Sequence, residues 1–246
     1  MQSTEQELFS ATERRAIYRA IHERRDVRTG FLPTPVPDAV LGRILDAAHH
    51  APSVGFMQPW DFIVIRDHSI RQAVYGNFEQ ANRQAAQVYQ GTQQDNYNQL
   101  KLAGILEAPV NLCVTCDHDR PWGSGLGRQS NPMTDLYSTV CAVQNLWLAA
   151  RAESLGVGWV SILDYEELKA TLGIPPRITV VAYLCVGYVA EFGRRPELEE
   201  KGWERRAALA GLIHFDCWGT RDADRALAIL AGVDNPGVED HAELRP

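Results

Sequence analysis

Long apolar runs are missing from this chain. The longest, residues 178–190, has 13 positions and is too short to cross a bilayer as a helix. A basic surplus is missing too: 24 Lys and Arg face 31 Asp and Glu, for a net charge of −7. Such a balance excludes a general nucleic-acid binder, which works by releasing counterions from phosphates. The first ten residues, MQSTEQELFS, lack the basic and apolar regions of a secretory signal. Cytoplasmic residence, with no membrane or nucleic-acid partner, is the expectation.

Cysteine is scarce, and no second pair completes a zinc site with Cys113 and Cys116. These two fall in a run that reads as a strand, where side chains three apart point to opposite faces. Buried structural thiols are expected. No G-x-S-x-G elbow is present to carry a serine nucleophile. The run Gly123-Ser124-Gly125-Leu126-Gly127 is followed by Arg128 where a dinucleotide fingerprint needs glycine, and by no Gly-Lys-Ser/Thr. It reads as a flexible surface loop. His49-His50 and Asp117-His118-Asp119 lack metal-site spacing, so no metal is expected.

What is present suits one large domain or two small ones in 246 residues. Ser10-x-x-Glu13 is a capping box that opens a helix over 10–24. A Pro-rich connector leads to a helix over 38–50, and Ser69 is placed to cap a polar helical stretch reaching about residue 99. Strands are predicted at 62–66, 110–116, 158–163 and 178–189, the last buried on both faces. The helix over 134–154 is apolar nearly all round, which fits a core or a subunit interface. A short helix is expected at 166–172. The alternation of elements by itself would fit a doubly wound parallel sheet.

The first helix delivers Arg24-Arg25-Asp26-Val27-Arg28 to its C-terminal end. Three guanidinium forks match phosphate oxygens, so the cluster reads as an anion site. It reads equally as a solvated charged helix end pairing with Glu13, Glu23 or Asp26. Ser161 shares a strand face with Trp159, and taken alone it reads as a serine satisfied by backbone.

Three segments occur together in order: the arginine cluster, the loop 51–60 (APSVGFMQPW) and residues 156–161 (GVGWVS). In this arrangement the chain resembles the flavin-dependent nitroreductase superfamily. More narrowly, it resembles the flavin-destroying branch, which fragments reduced FMN with O2. The products are 5,6-dimethylbenzimidazole, the lower ligand of cobalamin, and erythrose 4-phosphate. The likeness runs over 9–219, including 140–147 (VCAVQNLW), and implies one FMN-binding domain. A tail over 220–246 is left, read as a short helix followed by disorder.

The resemblance implies an α+β fold with a central, mainly antiparallel sheet flanked by helices. It also implies an intertwined homodimer whose core is built largely from the helix over 134–154. It places Arg24, Arg25 and Arg28, with the Asp26–Val27 backbone between them, on the FMN phosphate and ribityl chain. Arg206 would close on the same phosphate. Ser53 and Gln58 would lie against the isoalloxazine ring from the other subunit, with Phe56, Met57 and Trp60 excluding water. Lys101 would stand near the flavin N1/O2 edge, where a cation stabilises the anionic reduced ring. Asp26 stands where ordinary nitroreductases carry serine; it would be the base at the ribityl chain, and Ser161 would sit at the reactive edge. No nicotinamide motif is visible, so a separate reductase is the expected source of reduced FMN. Two other activities fit the same resemblance: an NAD(P)H-dependent nitro- or quinone reductase, and a non-catalytic flavin-binding protein.

Overall fold

A computed structural model describes residues 8–233. The chain forms two compact units that divide between Arg194 and Arg195. The first holds one sheet in the order β1-β2-β4-β3. Its strands are β1 (Trp60–Ile65), β2 (Val110–Cys116), β3 (Leu155–Val160) and β4 (Thr179–Tyr188), and every neighbouring pair is antiparallel. The architecture is therefore α+β, as the resemblance implied, and not the parallel sheet that alternation alone allows.

Strand periodicity sorts the core into two layers. Val110, Leu112 and Val114 of β2, with Ala182, Leu184 and Val186 of β4, face a cluster that includes Ile44, Ala48, Leu146 and Trp147. Those residues belong to α2 (Asp38–His49) and α5 (Thr134–Ala152). Cys113, Tyr183 and Cys185 face the other way, toward Val74, Phe78 and Leu168 of α3 (His68–Ala86) and α6 (Tyr165–Leu172). An irregularity opposite Val114 and Thr115 shifts the β4 register, so Val180 joins this second layer.

The N-terminal helix α1 (Ala11–Glu23) opens with the expected capping box: Glu13 N donates to Ser10 Oγ at 3.3 Å, and Ser10 N to Glu13 Oε2 at 2.7 Å. The Ser10 hydroxyl and amide hold the Glu13 carboxyl below its usual range. Two expectations are corrected. Asp67 caps α3 in place of Ser69, accepting from Ile70 N at 3.1 Å, while Ser69 Oγ donates to Asp67 Oδ1. The helical stretch also ends at Ala86, and a turn through Gly91 (φ +58) leads into a separate α4 (Thr92–Asn98). Tyr97 pins it there, donating to Asn82 Oδ1 at 2.7 Å.

The second unit contains α7 (Glu197–Glu200), a turn at Leu209–Leu212 and α8 (Ala223–Leu230). Asp222 caps α8 through Arg225 N, which realises the short helix expected after residue 220. The disorder expected beyond it falls partly on residues 234–246, which lie outside the described residues. Among the described residues no helix is long and apolar enough to cross a membrane.

Candidate functional site

The site grows from β3, an edge strand of the sheet. Residues 26 and 157 form a parallel bridge, in which Val27 N donates to Val157 O at 2.9 Å. Two glycines make that approach possible. A Cβ on Gly158 would lie 1.9 Å from Val27 O, and one on Gly156 would lie 2.5 Å from a Val189 methyl group. The Gly-x-Gly of this strand is thus a steric requirement for docking the segment after α1.

Asp26 joins the two pieces. Its Oδ1 accepts from Trp159 N at 2.9 Å, and its Oδ2 accepts from Arg28 Nε at 2.8 Å and pairs with Arg28 Nη2 at 2.7 Å. One carboxylate therefore fixes both the strand edge and the orientation of one guanidinium. Of the carboxylates weighed for the arginines, Asp26 takes Arg28. Glu23 instead takes Arg19 and Arg151, and Glu13 caps its helix.

The three arginines do different things. Arg24 lies with its guanidinium carbon 4.7 Å from the centre of the Trp147 ring, while Trp147 Nε1 donates to Arg25 O at 3.2 Å. Arg25 turns away and donates to four carbonyl oxygens, those of His22, Arg24, Gly193 and Arg194. It ties α1 to the turn after β4. The Arg28 side chain is largely buried, and its Nη1 has no hydrogen-bond partner among the described residues. Trp147 and Trp159, 6.3 Å apart between ring centres, back the cluster; as apolar residues they carried no polar signal of a role here.

Ser161 is placed differently from the strand reading. The strand ends at Val160, because the chain turns there and Leu163 N donates to Ser161 O at 3.1 Å. The serine is exposed, and its hydroxyl has no hydrogen-bond partner among the described residues, which overturns the reading of a satisfied hydroxyl. It follows Trp159 by two residues, about 7 Å along the chain. Lys101 is exposed in the connection from α4 to β2. Three residues on, Gly104 packs so closely that a Cβ would meet Phe31 at 2.5 Å and Arg28 O at 3.3 Å. Arg206 is exposed in the second unit.

Ser53 and Gln58 stand apart from this cluster. Ser53 Oγ accepts from Gln58 N at 3.1 Å, and Val54 N donates to Ser138 Oγ at 3.1 Å. The loop they close is strained, with Gly55, Phe56 and Gln58 at φ of +60, +54 and +46. Ser138 and Trp147 hold the two regions to α5 nine residues apart, about 13 Å along the helix axis. Within one chain the two groups do not meet. Met57 and Trp60 are inside the core, with only Phe56 of the three exposed.

Other candidates have structural partners. The 123–127 run is exposed but is not a free loop, since a Cβ on Gly123 would lie 2.1 Å from Gly55 O. It packs backbone to backbone on 53–58. His49 accepts from Trp60 Nε1 at 3.2 Å, and His118 sits between Asp135 and Thr179. Cys113, Cys116 and Cys185 are buried, and burial pushes the Cys113 thiol up to about 12. Burial of the Cys113–Cys116 pair is as expected, while Cys141 is half-buried and Cys217 exposed.

Comparisons with known proteins bear on the family and the fold. A model of the nitroreductase family matches residues 21–188. The chain is 42% identical over 199 residues to 5,6-dimethylbenzimidazole synthase of Rhodospirillum rubrum, covering 81% of this chain and 94% of that protein. It is 41% identical over 196 residues to the enzyme of the same name from Rhodobacter capsulatus, with coverage of 80% and 94%. In fold it is similar to iodotyrosine deiodinase solved with FMN and 3-iodo-L-tyrosine (TM-score 0.66, 20% identity, 82% of this chain and all of that one). Nitroreductase A from Vibrio parahaemolyticus is similar at a TM-score of 0.61 and 18% identity, over 87% and 81% of the two chains. Architecture and sequence match converge: this chain belongs to the nitroreductase family.

Proposed function

We propose that the protein is an oxidoreductase that fragments reduced FMN with O2, yielding 5,6-dimethylbenzimidazole and erythrose 4-phosphate for the lower ligand of cobalamin. The observation that carries this reading is Asp26, a carboxylate held by Trp159 N and Arg28 in a cluster otherwise cationic. A reductase that only cycles its flavin has no evident need of a carboxylate at this point. Similarity to proteins named for this synthesis supports it independently.

The residues present fit FMN. Arg28 Nη1 is buried without a partner among the described residues, the polar condition an anionic phosphate or ribityl oxygen would relieve. Arg24 and Arg28 would hold the phosphate end, with the Asp26–Val27 backbone beside the ribityl chain, while Arg25 supports them from behind through its carbonyl bonds. Arg206 and Lys101 keep the roles that the resemblance implies, on the phosphate and near the N1/O2 edge. Bound reduced FMN supplies the electrons for O2 and is itself the material consumed.

The chain contributes position and proton handling. Asp26 accepts a proton from the ribityl chain, a step to which a positioned base adds about 10²–10⁴ in rate. The free Ser161 hydroxyl donates or accepts at the reactive edge, two residues beyond the amide that anchors Asp26. Ser53 and Gln58 reach the ring from a second copy of the chain, in keeping with their separation from Asp26 along α5. Exposed Phe56 covers that same ring against water.

The test is to mix protein, FMN and a reducing system under air and assay 5,6-dimethylbenzimidazole by mass. Its appearance with loss of flavin is expected. Steady NADPH oxidation with a nitroarene and intact flavin would instead make the protein a nitro- or quinone reductase. Reoxidation alone would make it a flavin carrier.

A further inference from the structure

Asp135 is a carboxylate that the proposed chemistry does not use, and it is 1% exposed. It accepts from Arg128 Nε at 3.0 Å and Arg128 Nη2 at 3.2 Å, and His118 Nδ1 lies 3.3 Å away. Arg128 is partly exposed, and burying the carboxylate it pairs with costs desolvation that the pair must offset, so net stability alone is a weak reason for the placement.

Its surroundings supply another. Arg128 is the exit of the 123–127 run, which lies on the strained 53–58 loop with no space for a side chain between them. A Cβ on Gly55 would lie 2.7 Å from Leu126 O, and one on Gly127 would lie 2.6 Å from a Val54 methyl group. One turn along α5 from Asp135, Ser138 takes the Val54 amide directly. Consecutive turns of one helix thus hold the outer loop by an ion pair and the inner loop by a hydrogen bond. Phe56 and Gln58 keep their left-handed conformations only where their surroundings over-determine them.

We propose that the Asp135–Arg128 pair is a positioning clamp. It presses the 123–127 backbone onto residues 53–58 and so fixes the pose in which Ser53 and Gln58 are presented. The consequence for turnover rests on the function proposed above; the clamp itself does not. A guanidinium suits the task because its two parallel N–H groups fix direction as well as charge.

The test uses the full chain and two readouts. In flavin-free protein, Arg128→Met should speed amide exchange in a peptide spanning 53–58 on the order of 10-fold, leaving β2 and β4 unchanged. Gly123→Ala, which displaces the same backbone without touching charge, should do likewise, and Arg128→Lys should fall between. In turnover of reduced FMN, kcat/KM of Arg128→Met should fall on the order of 10-fold, below the roughly 100-fold that a full 1 Å misplacement at a site can cost. Unchanged exchange at 53–58 overturns the clamp. Uniform acceleration that includes the strands also overturns it, by assigning the pair to general stability. Faster loop exchange with unaltered turnover removes the loop from the site. If wild-type protein consumes no flavin, the proposed function fails while the exchange result still decides the clamp.

Discussion

Asp26 has two separable jobs, because its oxygens face different partners. Oδ1 holds the Trp159 amide and Oδ2 holds Arg28. Asp26→Asn can keep the first contact but turns an amide nitrogen toward a guanidinium, donor against donor. The variant should lose about 1–3 kcal/mol of folding stability, as expected for one unmet polar contact in a half-buried pair, seen as a lower denaturation midpoint. It should still bind reduced FMN, by fluorescence titration, and form no dimethylbenzimidazole in air. Undiminished product would remove Asp26 as the base. The sequence made this residue conspicuous, because a carboxylate among arginines is out of place there. It could not separate the arginines from one another. Two of the four Arg25 acceptors, Gly193 and Arg194, lie more than a hundred and sixty positions away, and only the fold brings them close.

At the scale of elements, the legible parts were those whose signal is local. The capping box of α1, the buried run of β2 and the apolar face of α2 all follow from spacing within a few residues. The start of β3 was missed because Leu155, Gly156 and Val157 pair with Tyr188, Gly187 and Val186, while glycine in a strand reads as a break. Those glycines exist for the segment that docks on them. Gly158→Ala would place a Cβ 1.9 Å from Val27 O, and backbone cannot swing aside as a flexible side chain can. We expect a loss of about 1–3 kcal/mol, the usual result of overpacking, together with much weaker FMN binding. Gly42→Ala, with nothing within 4 Å of the added Cβ, is the control and should bind normally. Equal affinity in the two variants would detach the β3 edge from the cofactor site. The 123–127 run was misread for a related reason: close backbone packing uses the same glycines as a flexible loop.

For the whole molecule, the open question is what covers the apolar residues that the first unit leaves exposed. At the start of α5, Met133 just before the helix and Tyr137 and Val140 on it form one stripe at spacings of four and three, and Phe9, Ile17, Tyr18 and Ile21 are exposed on or just before α1. The helix over 134–154 read as buried all round; in the single chain it is buried on one face only. An apolar stripe on the same helix that anchors both halves of the proposed site is best matched by a second copy of that helix. If Ser53 and Gln58 serve the same flavin as Asp26, as proposed above, their separation along α5 calls for the same partner. Sedimentation should therefore give about twice the 27.5 kDa of the chain. Val140→Glu adds a charge to the stripe where Val140 contacts solvent in the lone chain, so folding should survive. The variant should sediment as a monomer and bind FMN weakly, because each site would lose the loop from its partner. A monomeric wild type with full FMN affinity would break the argument at its base, since one chain would then suffice. A dimer that persists in Val140→Glu would move the interface off α5 while leaving the strand-edge site intact.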